Sequence, residues 1–576
     1  MKRHNRDDYY IVGEGIWTFG QDGKAAMVRP SAVADVRKFR FSRLGPKGVP
    51  VDDARRLIFD TLATAMTTDP QGGDPESGVP GHGAPDSGIP SGFTYLGQFV
   101  DHDMTKDITA DQLGQDVTVD ELVQGRSPAL DLDSLYGRGP DKDPQFYAAD
   151  GLHIKTGKTS AVPPQAPGGD NPFAQMERQG FDLPRVNTGS TPADQRLANI
   201  PDQRNDENLA VAQTHLAFIR FHNRVVDTMA GGTPSALLFT AAQDTVTKHY
   251  QWMLRTDFLP RIVDPDIVTD VFTNGRKFFE VAAPYGDAGW YPEYGDSRAE
   301  PGDRPTMPVE FSVAAYRLGH SMVRDVYNWN TIFNRKKIPA SLLLLFAFSG
   351  TSGILAPPAS PDQLNDPNAG TVLLPGSWVA DFRRLYDFSE AGRDDLTVAA
   401  EDFNVTKRID TLVVNPLQLL PLGAFGGRDV ALHATGPELN LAYRNLTRSG
   451  MVRLCSGQQL AELFGFPALD AGQIIKGSGG ASLDGLSTDQ QNSLAENTPL
   501  WFYVLREAEM NGGRLSGVGG RLVAEVFNRA MEGSRASIVR DPHWRPAFGP
   551  DPDTFRMVDL LLFAFENQAE LLAPLG

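Results

Sequence analysis

The segment "FTYLGQFVDHDMTKD" (93–107) sets Asp101, His102 and Asp103 side by side, at the end of a Gly- and Pro-rich stretch covering 67–93. On a helix starting near residue 96, consecutive side chains point about 100° apart, so the three cannot serve one point. Gln98 and His102 are four apart and share a face, with Asp101 beside them three residues after Gln98. That face can present an amide, a carboxylate and an imidazole to a pocket, a set suited to moving protons. Asp103 must turn away and serve a separate site. A capped, solvated helix start with one core histidine would carry the same residues.

In "RSPALDLDSLYGRG" (126–139), Ser127, Asp131 and Asp133 alternate with apolar residues, and the carbonyl of Ala129 falls in phase. Extended or looped chain would bring these oxygens to one side. Carboxylate, hydroxyl and carbonyl oxygens together suit a hard cation, and Asp103 could complete the shell; an acidic turn is the plainer alternative. "PDQRNDENLA" (201–210) places Arg204 and Glu207 at i and i+3 where loop meets helix, a spacing that usually means a surface ion pair. "YRLGHSMVRD" (316–325) sets Arg317 and His320 three apart on an otherwise apolar helix, where a core histidine is the bland reading.

The elements that must position these residues are mainly helical. Apolar residues recur at helical spacing in 208–230, 235–259, 309–330, 522–533 and 557–572, and Pro260 and "GGTP" stop the first two long helices. Alternating strand patterns are few and short, "TLVVNP" (411–416) being one. The expected fold is mostly α with few short strands. The 576 residues would allow about four ordinary domains, but the Gly/Pro-rich segments at 67–93, 157–205 and 354–378 are not long, charged linkers. One large domain with long functional loops is expected, after a less regular N-terminal arm.

Composition narrows the function further. With 54 basic and 72 acidic residues the net charge is −18, which argues against nucleic acid or an anionic membrane as partner. The longest apolar cluster, "SLLLLFAF" (341–348), is too short to span a bilayer, and "MKRHNRDDYYIVGEG" lacks the apolar core of a signal peptide. A soluble protein is expected, cytoplasmic or exported without a recognisable signal. Cys455 is the only cysteine, so internal disulfides, thiolate clusters and CxxCH haem attachment are excluded.

Taken in order, "GQFVDHD", "SPALDLDSLYG", "RNDE", "RLGH" and "LNLAYRN" (439–445) resemble the animal-type haem peroxidases of the peroxidase–cyclooxygenase superfamily in sequence and rough spacing. The resemblance runs from about residue 90 to the C-terminus, and 498–526 is similar to the C-terminal segment of bacterial members. It implies a large single-domain haem peroxidase fold at 91–576, with 1–90 as arm and lead-in. The implied activity is reduction of hydrogen peroxide and oxidation of small donors (halide or pseudohalide anions, phenols) through a ferryl intermediate, as in a response to oxidative stress. The implied cofactors are haem b, ester-linked after peroxide exposure, and calcium.

Carried over by motif, His102 is implied as the distal histidine, with Gln98 lining its pocket and Arg204 as the distal arginine. Asp101 and Glu207 match the ester-forming carboxylates. His320 matches the proximal iron ligand, Arg317 a cofactor contact, and Asn440 the hydrogen-bonded partner of His320. Asp103, Ser127, the Ala129 carbonyl, Asp131 and Asp133 match the calcium shell. Two departures matter. Asn208 stands where some members carry a methionine bonded to a haem vinyl, so that linkage cannot form. Cyclooxygenases carry a radical tyrosine three residues before the proximal histidine, where this chain has Arg317. Tyr316 would face about 100° away on a regular helix. Fatty-acid oxygenation is therefore the alternative, and a non-catalytic haem- and calcium-binding protein a third.

Overall fold

Eight helices, with the ten-residue helix Pro265–Asn274 beside them, supply most of the framework in this computed structural model, which describes residues 39, 41–68, 86–109, 113–119, 121–281, 305–353, 370–418 and 436–576, with the backbone of a hairpin pairing Ile16–Phe19 and Ala25–Val28. Most of the N-terminal arm and the first part of the 354–378 segment lie outside the described residues. The helices are α1 (Asp53–Thr67), α2 (Gly92–Met104), α3 (Leu209–Met229), α4 (Ser235–Met253), α5 (Leu441–Met451), α6 (Leu500–Met510), α7 (Gly517–Gly533) and α8 (Met557–Ala564). Shorter helical turns join them. Beyond the N-terminal hairpin, the described strands form isolated pairs: Asp86–Pro90 with Val405–Lys407, Phe41–Ser42 with Met307–Pro308, Gly157–Lys158 with Gln179–Asp182, and Val326–Tyr327 with Ala340–Ser341. The fold is mostly α with few short strands.

Local sequence explains the framework. In α1, Asp52 accepts from the Arg55 amide as N-cap, and Ile58, Phe59, Leu62, Ala63 and Met66 form the buried stripe that packs against α5. In α3, Asn208 caps the start by accepting from the Val211 amide at 3.0 Å. Helix α3 runs through the middle of the core, touching α2, α4 and α8. A Cβ on Gly92 would lie 2.2 Å from the Tyr386 ring, so only glycine lets α2 begin against that ring. One continuous core extends from Phe41 to Leu572 and takes in α1 as well as α2 to α8.

Three elements differ from the sequence expectation. The stretch 309–330 is not one helix: a wide π turn at Glu310–Ala314 is followed by a tight 3-10 turn at Ala315–Leu318 and a short helix at Gly319–Met322, and the chain is extended from Val323. The stretch 557–572 breaks after Ala564, where Glu566 and Asn567 take positive φ of 59° and 57°. "TLVVNP" is not a strand, because the Val413 amide donates to the Met66 carbonyl at 2.8 Å and Asn415 starts a 3-10 turn. Among the described residues no strand pairs with it, and its β-branched pattern serves burial instead.

Candidate active site

Gln98, Asp101 and His102 from α2, Glu207 and Asn208 at the entry to α3, and Arg317 and His320 from 315–322 line one cavity. Phe258, Tyr316, Met322 and Phe346 add apolar walls. The two imidazoles thus come to one cavity from elements more than 200 residues apart, α2 and Gly319–Met322, which pack against each other.

A short chain of amides fixes the polar side of the cavity. Asn208 Nδ2 donates to Gln98 Oε1 at 2.9 Å, and Gln98 Nε2 donates to Glu207 Oε1 at 2.7 Å. Glu207 Oε1 in turn lies 3.5 Å from His102 Nε2, with both side chains buried. Asn208 therefore does two things, starting α3 with its oxygen and orienting Gln98 with its nitrogen. Asp101 Oδ1 accepts from Thr105 Oγ1 at 3.0 Å, and its Oδ2 lies 3.5 Å from Arg317 Nη1. The wide and tight turns before His320 also carry Tyr316 into the cavity wall beside Arg317, contrary to the regular-helix expectation. Its hydroxyl is buried and has no hydrogen-bond partner among the described residues.

The partner of His320 is not Asn440. Asn445 Nδ2 lies 2.9 Å from His320 Nδ1. Asn440 instead caps α5, its Oδ1 accepting from the Ala442 amide at 2.8 Å, while its Nδ2 donates to Thr67 Oγ1 at 3.0 Å at the end of α1. A side chain spent on both ends of a helix junction cannot also reach the imidazole. Burial, with the nearby Arg317 and Arg448 guanidiniums, pushes His320 down to about 3, so its ring is neutral.

Arg204 does not line the cavity. Its Nε and Nη2 donate to Asp202 at 3.1 and 2.7 Å, and Nη2 donates to the His102 carbonyl at 3.0 Å. Asp202, two residues earlier and fully buried, also takes the Arg126 guanidinium at 2.8 Å. The competing carboxylate captures Arg204, which here anchors the backbone of α2 at His102.

Asp103 turns away from the cavity into the acidic loop. Its carboxylate accepts from the Leu132 amide, the Ser134 amide and Ser134 Oγ at 3.2, 3.3 and 3.1 Å. Ser127 Oγ donates to Asp131 Oδ2 at 2.8 Å, the Ser127 amide donates to Asp133 Oδ2 at 3.0 Å, and the Ala129 amide reaches Ser127 Oγ at 3.3 Å. Oxygens of Asp103, Asp131 and Asp133 lie within 4.8 Å of one another. Asp131 Oδ1 and Asp133 Oδ1 are buried with no hydrogen-bond partner among the described residues. Burial and the two neighbouring carboxylates hold Asp103 well above the usual carboxylate range, and burial with Asp133 pushes Asp131 up to about 7. Crowded acids with orphaned oxygens fit a bound cation.

The family described as animal haem peroxidase matches this chain over residues 102–355, a span that begins at His102 and contains Arg204, Glu207 and His320. A peroxidase-like protein of Margaritifera margaritifera is 32% identical over 149 residues, which is 25% of this chain and only 16% of that protein's length. Peroxidase A of Dictyostelium discoideum superposes with a TM-score of 0.48 at 14% identity, covering 87% of this chain and 89% of that one. The fatty acid alpha-dioxygenase of Oryza sativa gives 0.47 at 12% identity, covering 92% and 83%.

Sequence reasoning missed Asn445, Asn208 as cap and amide anchor, Arg448, and Asn205 beneath His102. Asn445 lay within the quoted "LNLAYRN", one turn past the asparagine chosen.

Proposed function

We propose that the cavity holds haem and that the chain is a haem-dependent peroxidase. The observation that carries this reading is that His102 and His320 line one cavity together with Gln98, Asp101 and Glu207. The donor set fits the group. Asn445 can accept from Nδ1 of His320, since the two ends of an amide occupy the same space, and Nε2 then keeps its lone pair for the iron. Arg317, which lines the cavity, would supply positive charge for a carboxylate of the macrocycle. The match to the animal haem peroxidase family over 102–355 supports the same assignment.

Bound haem would supply the iron at which peroxide is reduced and the oxidising equivalents that pass to a donor. The chain's own residues move the protons. His102 Nε2 takes the proton from the near oxygen of hydrogen peroxide and returns it to the departing one. Gln98, oriented by Asn208, offers a fixed amide beside that path. An amide rather than a carboxylate at His320 leaves its imidazole less anionic, which favours oxidation of difficult donors such as halides or pseudohalides as well as phenols. Asp101 and Glu207 would be the carboxylates that tether the macrocycle through esters, and Asn208 offers no sulfur for a third bond. Calcium at Asp103, Asp131 and Asp133, with Ser127 and the Ala129 carbonyl, would fix the helix that carries His102.

The test is hemin titration of the purified chain. A Soret band altered in His320→Ala is expected, with peroxide-driven oxidation of a phenol or iodide slowed by roughly 10²–10⁴ in His102→Ala. After peroxide cycling, haem mass should stay on the chain through acid extraction, less so in Asp101→Val and Glu207→Gln. A chain that takes up no hemin overturns the reading.

One observation favours a second reading, oxygenation of a fatty acid: Tyr316 lines the cavity with a hydroxyl that has no hydrogen-bond partner among the described residues. Oxygen uptake with a polyunsaturated fatty acid, lost in Tyr316→Phe, would support it over peroxidase turnover.

A further inference from the structure

Behind His102, on the side away from the cavity, lies a second buried arrangement. Asn205 Oδ1 is 2.9 Å from His102 Nδ1, and Asn205 Nδ2 is 2.9 Å from His215 Nδ1. His102, Asn205 and His215 are 4%, 0% and 0% exposed, so both contacts are buried. We propose that Asn205, backed by His215, is a positioning residue that holds His102 in the tautomer protonated at Nδ1, leaving the Nε2 lone pair towards the cavity. The role in turnover rests on the peroxidase reading above; the tautomer itself does not.

The argument is one of donors and acceptors. An amide oxygen can only accept and an amide nitrogen can only donate. With the oxygen facing His102, Nδ1 must carry the proton, and with the nitrogen facing His215, that ring offers a lone pair at Nδ1 and carries its own proton on Nε2, a buried atom without a hydrogen-bond partner among the described residues. His215 can do so because burial pushes it down to about 3 and keeps it neutral. On the cavity side, Glu207 lies 3.5 Å from His102 Nε2, beyond a good hydrogen bond, and its Oε1 already accepts from Gln98. In this amide orientation the contact at Nδ1 sets the tautomer; the reversed amide would put the His102 proton on Nε2, and the ring-nitrogen experiment below separates the two.

The surroundings hold this pair rigidly. Asn205 sits in the 3-10 turn Gln203–Asp206, whose flanks are each pinned by a buried ion pair, Asp202 with Arg126 and Asp206 with Arg185. His215 lies on α3, and the Phe99 ring stands edge-on to it at 5.7 Å while stacking on Phe218 at 4.6 Å. A base that must present a lone pair without waiting for a proton shift gains from such a fixed second layer.

The experiment reads the ring nitrogens directly. The full chain is labelled with 15N-histidine, and His102 among its ten histidines is assigned by difference with His102→Gln. Wild type should show a proton on Nδ1 and a bare Nε2. Asn205→Leu should shift His102 towards the other tautomer, and Asn205→Asp, which can still accept, should restore it. His215→Phe, which retains the Asn205 oxygen, is a milder variant should Asn205→Leu fail to fold. In hemin-loaded protein, Asn205→Leu should slow the first spectral change on adding peroxide by roughly 10–100-fold, with Asn205→Asp recovering most of it. A wild-type His102 protonated at Nε2 overturns the inference whatever the chain does with hemin. The Nδ1 tautomer in a chain that binds no hemin overturns the peroxidase reading and leaves the positioning of His102 supported.

Discussion

Replacing Asp131 with Asn should change stability in opposite directions with and without calcium. Oxygens of Asp103, Asp131 and Asp133 lie within 4.8 Å of one another. At that separation and an effective dielectric of about 20, two full charges repel by about 3.5 kcal/mol, and Asp131 takes part in two such pairs. Arg126 Nη1, 3.9 Å from Asp133 Oδ2, relieves Asp133 more than Asp131. Without metal part of the strain is relieved by a proton, because burial and Asp133 push Asp131 up to about 7. The saving from removing that charge is therefore well below the Coulomb sum, and about 2 kcal/mol is expected.

With calcium the sign reverses. An ion that binds only the folded state stabilises it by about 2.7 kcal/mol at 100 times its dissociation constant, and the Asn variant loses a charged ligand and much of that gain. For 576 residues the unfolding entropy is about 1.2 kcal/mol/K, so each 2 kcal/mol moves the midpoint by about 2 °C. Calorimetry of both chains, in chelator and in excess calcium near neutral pH, should give crossing orders: the variant melts higher without calcium and lower with it. Equal loss in both conditions would show that Asp131 is only a turn residue hydrogen-bonded to Ser127. A wild-type midpoint indifferent to calcium would remove the ion from the site altogether.

Much of the site was legible because its logic is local. Gln98 and His102 at i and i+4, with Asp103 turned to the other side, follow from helix geometry alone, and the structure places the first two in the cavity wall and the third among Asp131 and Asp133. The long helices α3, α4 and α7 follow from their 3.6-residue apolar period. What failed was competition between neighbours. Arg204 reads as an ion-pair partner of Glu207, or by motif as the distal arginine, until Asp202, two residues away, is seen buried with room for two guanidiniums. The stretch 309–330 has helical periodicity, yet its packing demands a wide turn and then a tight one, which no periodicity encodes. His215 carries no signal in the sequence, because its contact to Asn205 depends on how α3 meets the preceding turn.

Two further predictions follow from buried groups. Burial holds His249 down to about 4 against 6.5 in an unfolded chain, so the unfolded state binds the extra proton between those values and stability falls as pH falls through that window. Between pH 7 and pH 5 this costs about 2 kcal/mol, and His249→Gln should lose less over the same interval while keeping an acceptor for the Ala547 amide; an unchanged pH slope in the variant refutes it. The second separates the two asparagines of "LNLAYRN". Five residues at about 100° each put them about 140° apart around the helix, so only one can face His320. Asn440 is the N-cap of α5 and ties it to Thr67, so Asn440→Ala should cost about 1 kcal/mol of stability and leave the spectrum of hemin-loaded protein unchanged. Asn445 touches His320 at 2.9 Å, so Asn445→Ala should weaken hemin retention by roughly 10–100-fold and shift the spectrum. If Asn440→Ala alters the spectrum while Asn445→Ala does not, the imidazole's partner has been misassigned, and the register of α5 against the Gly319–Met322 turn with it.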